Sequence, residues 1–288
     1  MIYFTDAEIE HLINEDVPYF DLTTGILKLE NKPAKIQFST GEDTVVCCTE
    51  EVMRMFNKLS IRTTLFTPSG EFIEKGVKFL EGEGLSKNIH TAWRAAENLL
   101  GFSSGIATRT KKLINEANEA NPEIIVATTR KIIPYTKKVS VKAVQAGGAS
   151  VYRLGLSDSI LVYKNHYSFL GDLENLDKRL KEQRKSIAAK QVTVQAQTKE
   201  DAIKIARSGA DMVQLENFDF KTILSLKKEI QHVNPLVKIV VSGNINLENI
   251  RNYATSGADI LVTSWPYFAE PSNIHITIAP LLDSVWLV

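Results

Sequence analysis

The sequence predicts an α/β protein in which a mixed first segment is followed by a parallel sheet wound with crossover helices. Three observations carry that expectation. After Pro122, short apolar runs alternate with amphipathic stretches of helical spacing. Each run is nearly continuously apolar, as in strands buried on both faces. Ser208-Gly209-Ala210-Asp211 recurs as Ser256-Gly257-Ala258-Asp259, and each copy joins a helix to a strand. The glycine closes the helix and the aspartate opens the strand. The repeat favours a β/α barrel over an open doubly wound sheet.

The elements follow in order. Thr5-Asp6-Ala7-Glu8 is a capping box and starts a helix. Strands are expected at Ala34–Ser39, Thr44–Cys47 and Ile61–Phe66. A long helix begins near Lys87, with Ile89, Trp93, Ala96, Leu99 and Leu100 at helical spacing, and continues, bent near Gly101–Gly105, to Ala120. The later strands are Ile124–Thr128, Ser150–Leu154, Ile160–Tyr163, Gln191–Gln195, Met212–Leu215, Lys238–Val241 and Ile260–Thr263. The clearest helices between them are Asp201–Arg207, Phe220–Gln231 and Leu247–Thr255. Ile274–Ile278 alternates like a half-exposed strand. Residues 1–110 thus read as one domain and 111–270 as the barrel, with the tail 271–288 returning to the first domain's sheet.

The 288 residues suffice for a barrel with an appendage. Lys plus Arg and Asp plus Glu are 34 each, so no general attraction to nucleic acid or anionic membranes is expected, and any positive site must be local. The two cysteines, Cys47 and Cys48, are adjacent, which excludes a disulfide framework and favours a reducing compartment. They read as packing residues on a strand. No signal peptide or apolar run long enough to span a bilayer is visible, so a cytoplasmic protein is expected. The five histidines are scattered without zinc-ligand spacing. Trp93, Trp265 and Trp286 read as packing residues.

In a parallel barrel, reactive groups gather at the carboxyl ends of the strands. Here those ends carry Thr128-Thr129-Arg130-Lys131, Arg153, Tyr163-Lys164, Gln195, Glu216-Asn217, Ser242-Gly243-Asn244 and Thr263-Ser264. Arg and Lys suit carboxylates and phosphates. A Ser-Gly turn before a helix offers amide groups to a phosphate. A facing carboxylate suits Mg²⁺ bound to pyrophosphate. Any one of these residues has a structural alternative: an ion pair for an arginine, surface charge for Glu216, an ordinary turn for Ser242-Gly243-Asn244. Their convergence on one mouth favours a polyanionic ligand.

At these residues the sequence resembles the quinolinate phosphoribosyltransferase family. Thr129-Arg130-Lys131-Ile132-Ile133-Pro134 resembles its Thr-Arg-Lys-Thr-x-Pro signature, and Gly147-Gly148-Ala149 with Arg153-Leu154-Gly155 its glycine-rich stretch and arginine. Thr91–Leu100 with Ser104–Thr108 resembles its long helix, Gly209-Ala210-Asp211 with Leu215-Glu216-Asn217 its acidic strand, and Val241–Ile245 its Ser-Gly-Gly turn. The C-terminal Thr263-Ser264-Trp265-Pro266-Tyr267 resembles the ModD-like branch, which is associated with molybdate uptake. The resemblance implies an N-terminal α/β sandwich domain and an incomplete TIM-like β/α barrel. It implies homodimers, sometimes hexamers, in which one subunit's first domain closes the other's barrel. The implied reaction joins 5-phosphoribosyl 1-pyrophosphate to an acidic acceptor with Mg²⁺. By position, Arg130, Lys131, Arg153 and Glu216 are the catalytic set, with Glu216 near the metal. Arg94, Lys137, Tyr152, Tyr163, Gln195, Ser242, Gly243, Asn244, Thr263 and Ser264 bind substrate, Arg94 reaching the neighbouring subunit's site.

Several positions depart from the family. Tyr152 replaces a histidine and Tyr163 a lysine, with Lys164 one position late, where strand alternation turns it to the opposite face. Gln195 replaces an acid, and Pro134-Tyr135 replaces Pro-Gly. Quinolinate's two carboxylates thereby lose two partners. The expected activity is a phosphoribosyltransferase or pyrophosphorylase acting on another acceptor. The alternatives are a non-catalytic oxyanion- or nucleotide-binding protein in metal handling, and an ordinary quinolinate enzyme.

Overall fold

A computed structural model describes residues 2–281. The described chain forms two compact units. One comprises residues 2–111, 133–148 and 267–281, the other 112–132 and 149–266. The last residues of the expected tail, 282–288, and Trp286 with them, lie outside the described residues.

In the first unit, Thr5 caps the helix Asp6–Asn14 through the capping box read from the sequence. Its main sheet is antiparallel. Pro33–Thr40 pairs on one side with Lys78–Leu85, which also takes Arg62–Phe66, and on the other with Ile274–Pro280. Pro33–Thr40 alternates strictly between half-buried and buried residues, the mark of one covered face. The strand expected at Thr44–Cys47 stops at Val45. Cys48 turns into a left-handed conformation (φ +60°) before the helix Thr49–Lys58, and the backbone of Cys47 is held by Ser103 and Ser104 of the long helix instead of by a sheet partner. Both cysteines are fully buried. The long helix spans Ser86–Ala120 as one unbroken run of 35 residues. Gly101 and Gly105 do not interrupt it. They let the chain at 270–272 pass close by, since a side chain at Gly105 would collide with the Glu270 carbonyl.

The second unit is a seven-stranded all-parallel sheet curled into a half-barrel. We number its strands βa Ile125–Thr128, βb Ser150–Val151, βc Ile160–Val162, βd Val192–Ala196, βe Met212–Glu216, βf Lys238–Ser242 and βg Ile260–Thr263. Their spatial order is βb-βa-βg-βf-βe-βd-βc, so the barrel stays open between the consecutive strands βb and βc. Strand βb is only two residues long, and the stretch to Leu154 expected as strand is loop. Helices Lys199–Arg207 and Phe220–Val233 agree with the apolar periodicity, whereas the helix expected at Leu247–Thr255 forms only over Ile250–Ala254. The helices Lys164–Tyr167 and Leu173–Gln183 of this unit, and Lys137–Ala146 of the first, went unread.

The Gly-Ala-Asp repeat has one physical meaning in both copies. Gly209 (φ +79°) and Gly257 (φ +88°) adopt the left-handed conformation that ends each helix. Asp211 then accepts from the Val192 amide at 2.7 Å, and Asp259 from the Ile239 amide at 2.7 Å. Each aspartate thereby caps the start of the neighbouring strand. A large apolar cluster fills the space between sheet and helices. A smaller one, made of Ala127, Met212, Val240, Ile260 and Val262 with Tyr152 against it, fills the inside of the curl.

Candidate active site

The two clusters fix which way each strand residue points. On βe, Val213 and Leu215 pack toward the helices while Met212 packs inside, so Gln214 and Glu216 also face the interior. The same alternation turns Ser242 of βf inward beside Glu216, and Gln195 of βd inward beside Gln214. Just past the strand ends, two loops lean on each other. The Asn217 amide donates to the Ser242 carbonyl at 2.9 Å. Asn217 (φ +61°), Gly243 (φ +102°) and Asn244 (φ +50°) are all left-handed. Any side chain at Gly243 would run into Asn217. Left-handed non-glycine residues cost on the order of 1 kcal/mol each and gather where a loop's shape is functional. The turn does not open directly into a helix, as the sequence suggested. The next helix starts at Ile250 and is five residues long. An anion here would be met by the turn's own amide groups, not by a helix dipole.

Arg130, Lys131 and Arg153 lack counter-charges among the described residues. Arg153 is buried, yet no described carboxylate pairs with it. One terminal nitrogen donates to the Leu156 carbonyl at 3.1 Å and Nε has no partner. Arg130 and Lys131 are exposed and form no ion pair among the described residues. Their loop is shaped by the Thr129 hydroxyl, which accepts from the Lys131 amide at 3.0 Å, and by the Thr129 amide, which donates to the Thr263 carbonyl at 3.0 Å. The ion-pair explanation for these three residues therefore has no support in the geometry.

The departing positions are also placed. The Tyr152 hydroxyl lies 3.0 Å from the Thr193 hydroxyl across the curl, and burial pushes its pKa up, so it stays a neutral phenol. Tyr163 is half-buried and its ring stacks on His166, with centroids 5.7 Å apart. Lys164 is exposed and already opens the helix Lys164–Tyr167, so it does not replace a strand lysine. Tyr135, where the family resemblance places a glycine, takes the left-handed conformation (φ +67°), one that glycine tolerates better than a tyrosine. Gln195 is buried with no hydrogen bond to its amide. Thr263 spends its hydroxyl on the Ile245 carbonyl at 2.6 Å and on the Trp265 amide at 3.0 Å, and Ser264 beside it is half-buried. Arg94 and Lys137 belong to the first unit. Arg94 pairs with Glu97 and lies 4.0 Å from the Trp93 ring centroid, while Lys137 is the exposed first residue of its helix.

One residue escaped the sequence reading. Gln214 sits on βe, and its signal was present: a glutamine inside the apolar run Met-Val-Gln-Leu. Among the described residues, no three His, Cys, Asp or Glu side chains gather at one point. A resident metal centre is thus not built, but Mg²⁺ carried by a pyrophosphate needs only one or two protein carboxylates. Glu216, half-buried at the mouth, fits that need. Cavities of about 310 Å³, lined by Tyr152, Lys190, Thr193 and Met212 among others, and about 300 Å³ lie toward the amino ends of the strands, away from the charged rim.

The models of the quinolinate phosphoribosyl transferase N-terminal and C-terminal domains match residues 21–104 and 106–276, and the chain belongs to this family. It is 31% identical over 278 residues to the "Putative pyrophosphorylase ModD" of Pasteurella multocida (strain Pm70), covering 96% of this chain and 99% of that protein. It is 29% identical over 255 residues to the carboxylating "Probable nicotinate-nucleotide pyrophosphorylase" of Methanothermobacter thermautotrophicus, covering 88% and 91%. In fold it is similar to NadC from Streptococcus pyogenes, with a TM-score of 0.88 at 23% identity, covering 98% of this chain and 100% of that one. No described helix is long and apolar enough to cross a membrane.

Proposed function

We propose that the protein transfers the phosphoribosyl group of 5-phosphoribosyl 1-pyrophosphate to an acidic acceptor other than quinolinate, releasing pyrophosphate. The observation that carries this reading is Arg153, a buried guanidinium with no carboxylate partner and an unused Nε. A buried charge left unpaired costs several kcal/mol, which an anionic ligand relieves. Arg130, Lys131 and Arg153 hold the acceptor's acid and the leaving pyrophosphate. The Ser242-Gly243-Asn244 turn takes the 5-phosphate. The acceptor attacks the anomeric carbon as its bond to pyrophosphate breaks, a step that needs positioning and charge stabilisation but no protein nucleophile. Mg²⁺ bound with the pyrophosphate, held by Glu216, supplies neutralising charge there. A homodimer in which Arg94 serves the neighbouring subunit's site belongs to the same reading. So does a cytoplasmic role in molybdenum uptake, which rests on the resemblance of Thr263–Tyr267 to the ModD-like branch.

Tyr152 and Tyr163 argue against quinolinate as the preferred acceptor, because they are phenols where its two carboxylates need cations. A hydrogen bond to a charged group contributes about 1.5–3 kcal/mol, so two lost partners amount to roughly a thousandfold in specificity. Gln195, uncharged where the family carries an acid, favours the second reading, a non-catalytic ligand-binding barrel. One pair of measurements separates the three readings. Saturating phosphoribosyl pyrophosphate with Mg²⁺, at about 100 times its dissociation constant, should stabilise the fold by roughly 2.7 kcal/mol. Quinolinate should give little or no turnover. No thermal shift would overturn ligand binding at this mouth. A shift without turnover of any aromatic acid would favour the binding protein, and ordinary quinolinate turnover would show that the tyrosines are not selectivity determinants.

A further inference from the structure

Gln214 lies on βe, two residues below Glu216 and on the same inner face, and is 6% exposed. Its amide nitrogen donates to the Ser242 hydroxyl at 2.9 Å, but its Oε1 is buried without a partner. Reversing the amide only exchanges which end is unmatched. Gln195 is its register partner on βd, also 6% exposed, and makes no hydrogen bond. The two amides share one face without bonding each other, and of the two only Gln214 has a fully buried, unpartnered atom. Leaving the buried Gln214 oxygen unmet is destabilising, and an apolar residue of similar shape avoids that cost. The layer below them is ordinary filling, with Met212 inside the curl and Thr193 closed off by Tyr152, while Val240 sits level with Gln214 on the next strand. The two glutamines are thus polar side chains placed between that filling and the mouth.

We infer that Gln214, with Gln195 beside it, is a specificity-determining residue that binds a ring hydroxyl of the ligand's sugar. This rests on the reading that the mouth takes a phosphoribosyl ligand. A hydroxyl both donates and accepts, so it satisfies whichever amide end is free. Gln195, bonded to nothing, can turn to admit it. The bond from Gln214 to Ser242 leaves the serine's own hydrogen free to point at a phosphate oxygen. Sugar and phosphate are thus held by one connected pair of side chains on adjacent strands, without a charge on either.

The test compares binding of ribose 5-phosphate with its 2-deoxy and 3-deoxy analogues by calorimetry, in the full-length protein and in Gln214→Leu. The intact protein should prefer ribose over at least one deoxy analogue by roughly tenfold, about one hydrogen bond's contribution, and Gln214→Leu should lose that preference. Its melting temperature should hold or rise, because the substitution removes an unmet polar group. Gln214→Met, unbranched like glutamine, repeats the comparison should leucine pack badly. A preference that survives both substitutions overturns the inference, as does its absence from the intact protein. If the intact protein binds none of the sugar phosphates, the phosphoribosyl reading itself falls, and this inference with it.

Discussion

Each unit of the molecule buries a cationic side chain, and the two treat it in opposite ways. In the first, Lys142 is 8% exposed on the helix Lys137–Ala146, and its ammonium reaches Glu51, 4% exposed, and Glu50 at 2.8 Å. Both carboxylates lie in the first turn of the helix Thr49–Lys58, which suits negative charge. In the second unit, Arg153 is 7% exposed and no described carboxylate answers it. A buried cation with its own counter-charges is part of the architecture, whereas one without them is, on the proposed reading, open to an anionic ligand.

The largest expected effect lies on the architectural side. Lys142→Met should destabilise the fold by about 3–5 kcal/mol, because it strands a buried glutamate. Urea denaturation measures it, and a loss below about 1 kcal/mol would mean that the pair is dispensable. Arg153→Gln should do the reverse: stability held or raised, but binding of pyrophosphate-bearing ligands weakened by about 1.5–3 kcal/mol, or roughly ten- to hundredfold. If Arg153→Gln unfolds the protein while ligand affinity in the folded fraction is unchanged, the contrast between the units collapses.

The smallest effect is in pH dependence. Burial pushes the Glu50 carboxyl up, but hydrogen bonds from Lys142 and Ser69 outweigh it and bring its pKa down from 4.5 to about 2. A depressed folded-state pKa adds stability that is complete above the unfolded value and is lost as pH falls through the folded one. The contribution of Glu50 should therefore fade between about pH 4.5 and pH 2, and Glu50→Gln should show a shallower loss of stability across that window. Equal slopes in denaturation series at each pH would show that Glu50 gains nothing from the Lys142 network.

Much of this could be read from the chain before folding. The alternating apolar runs gave the strands, because burial on both faces removes polar residues from a short stretch. The repeated Gly-Ala-Asp gave the helix ends, because a left-handed residue and a strand-capping carboxylate are local requirements. The order of the cationic and acidic motifs along the chain was enough for the family. What alternation could not settle were the short elements: βb, the helix at Ile250 and the end of the strand before Cys47. Two to five residues carry too little periodicity to outweigh their neighbours.

The sequence by itself thus determined the α/β class, the main strands and the set of residues at the strand ends. Tertiary structure alone decided which of those residues are already spent. Thr263 looked available and is consumed by Ile245, and Lys142 finds its carboxylates about ninety positions away. Among the described residues, Arg153 finds no carboxylate and the Gln214 Oε1 finds no donor. The physical reason is range. Which face a side chain takes follows from its neighbours in the chain, but whether its charge or hydrogen bond is satisfied depends on groups brought near only by the completed fold.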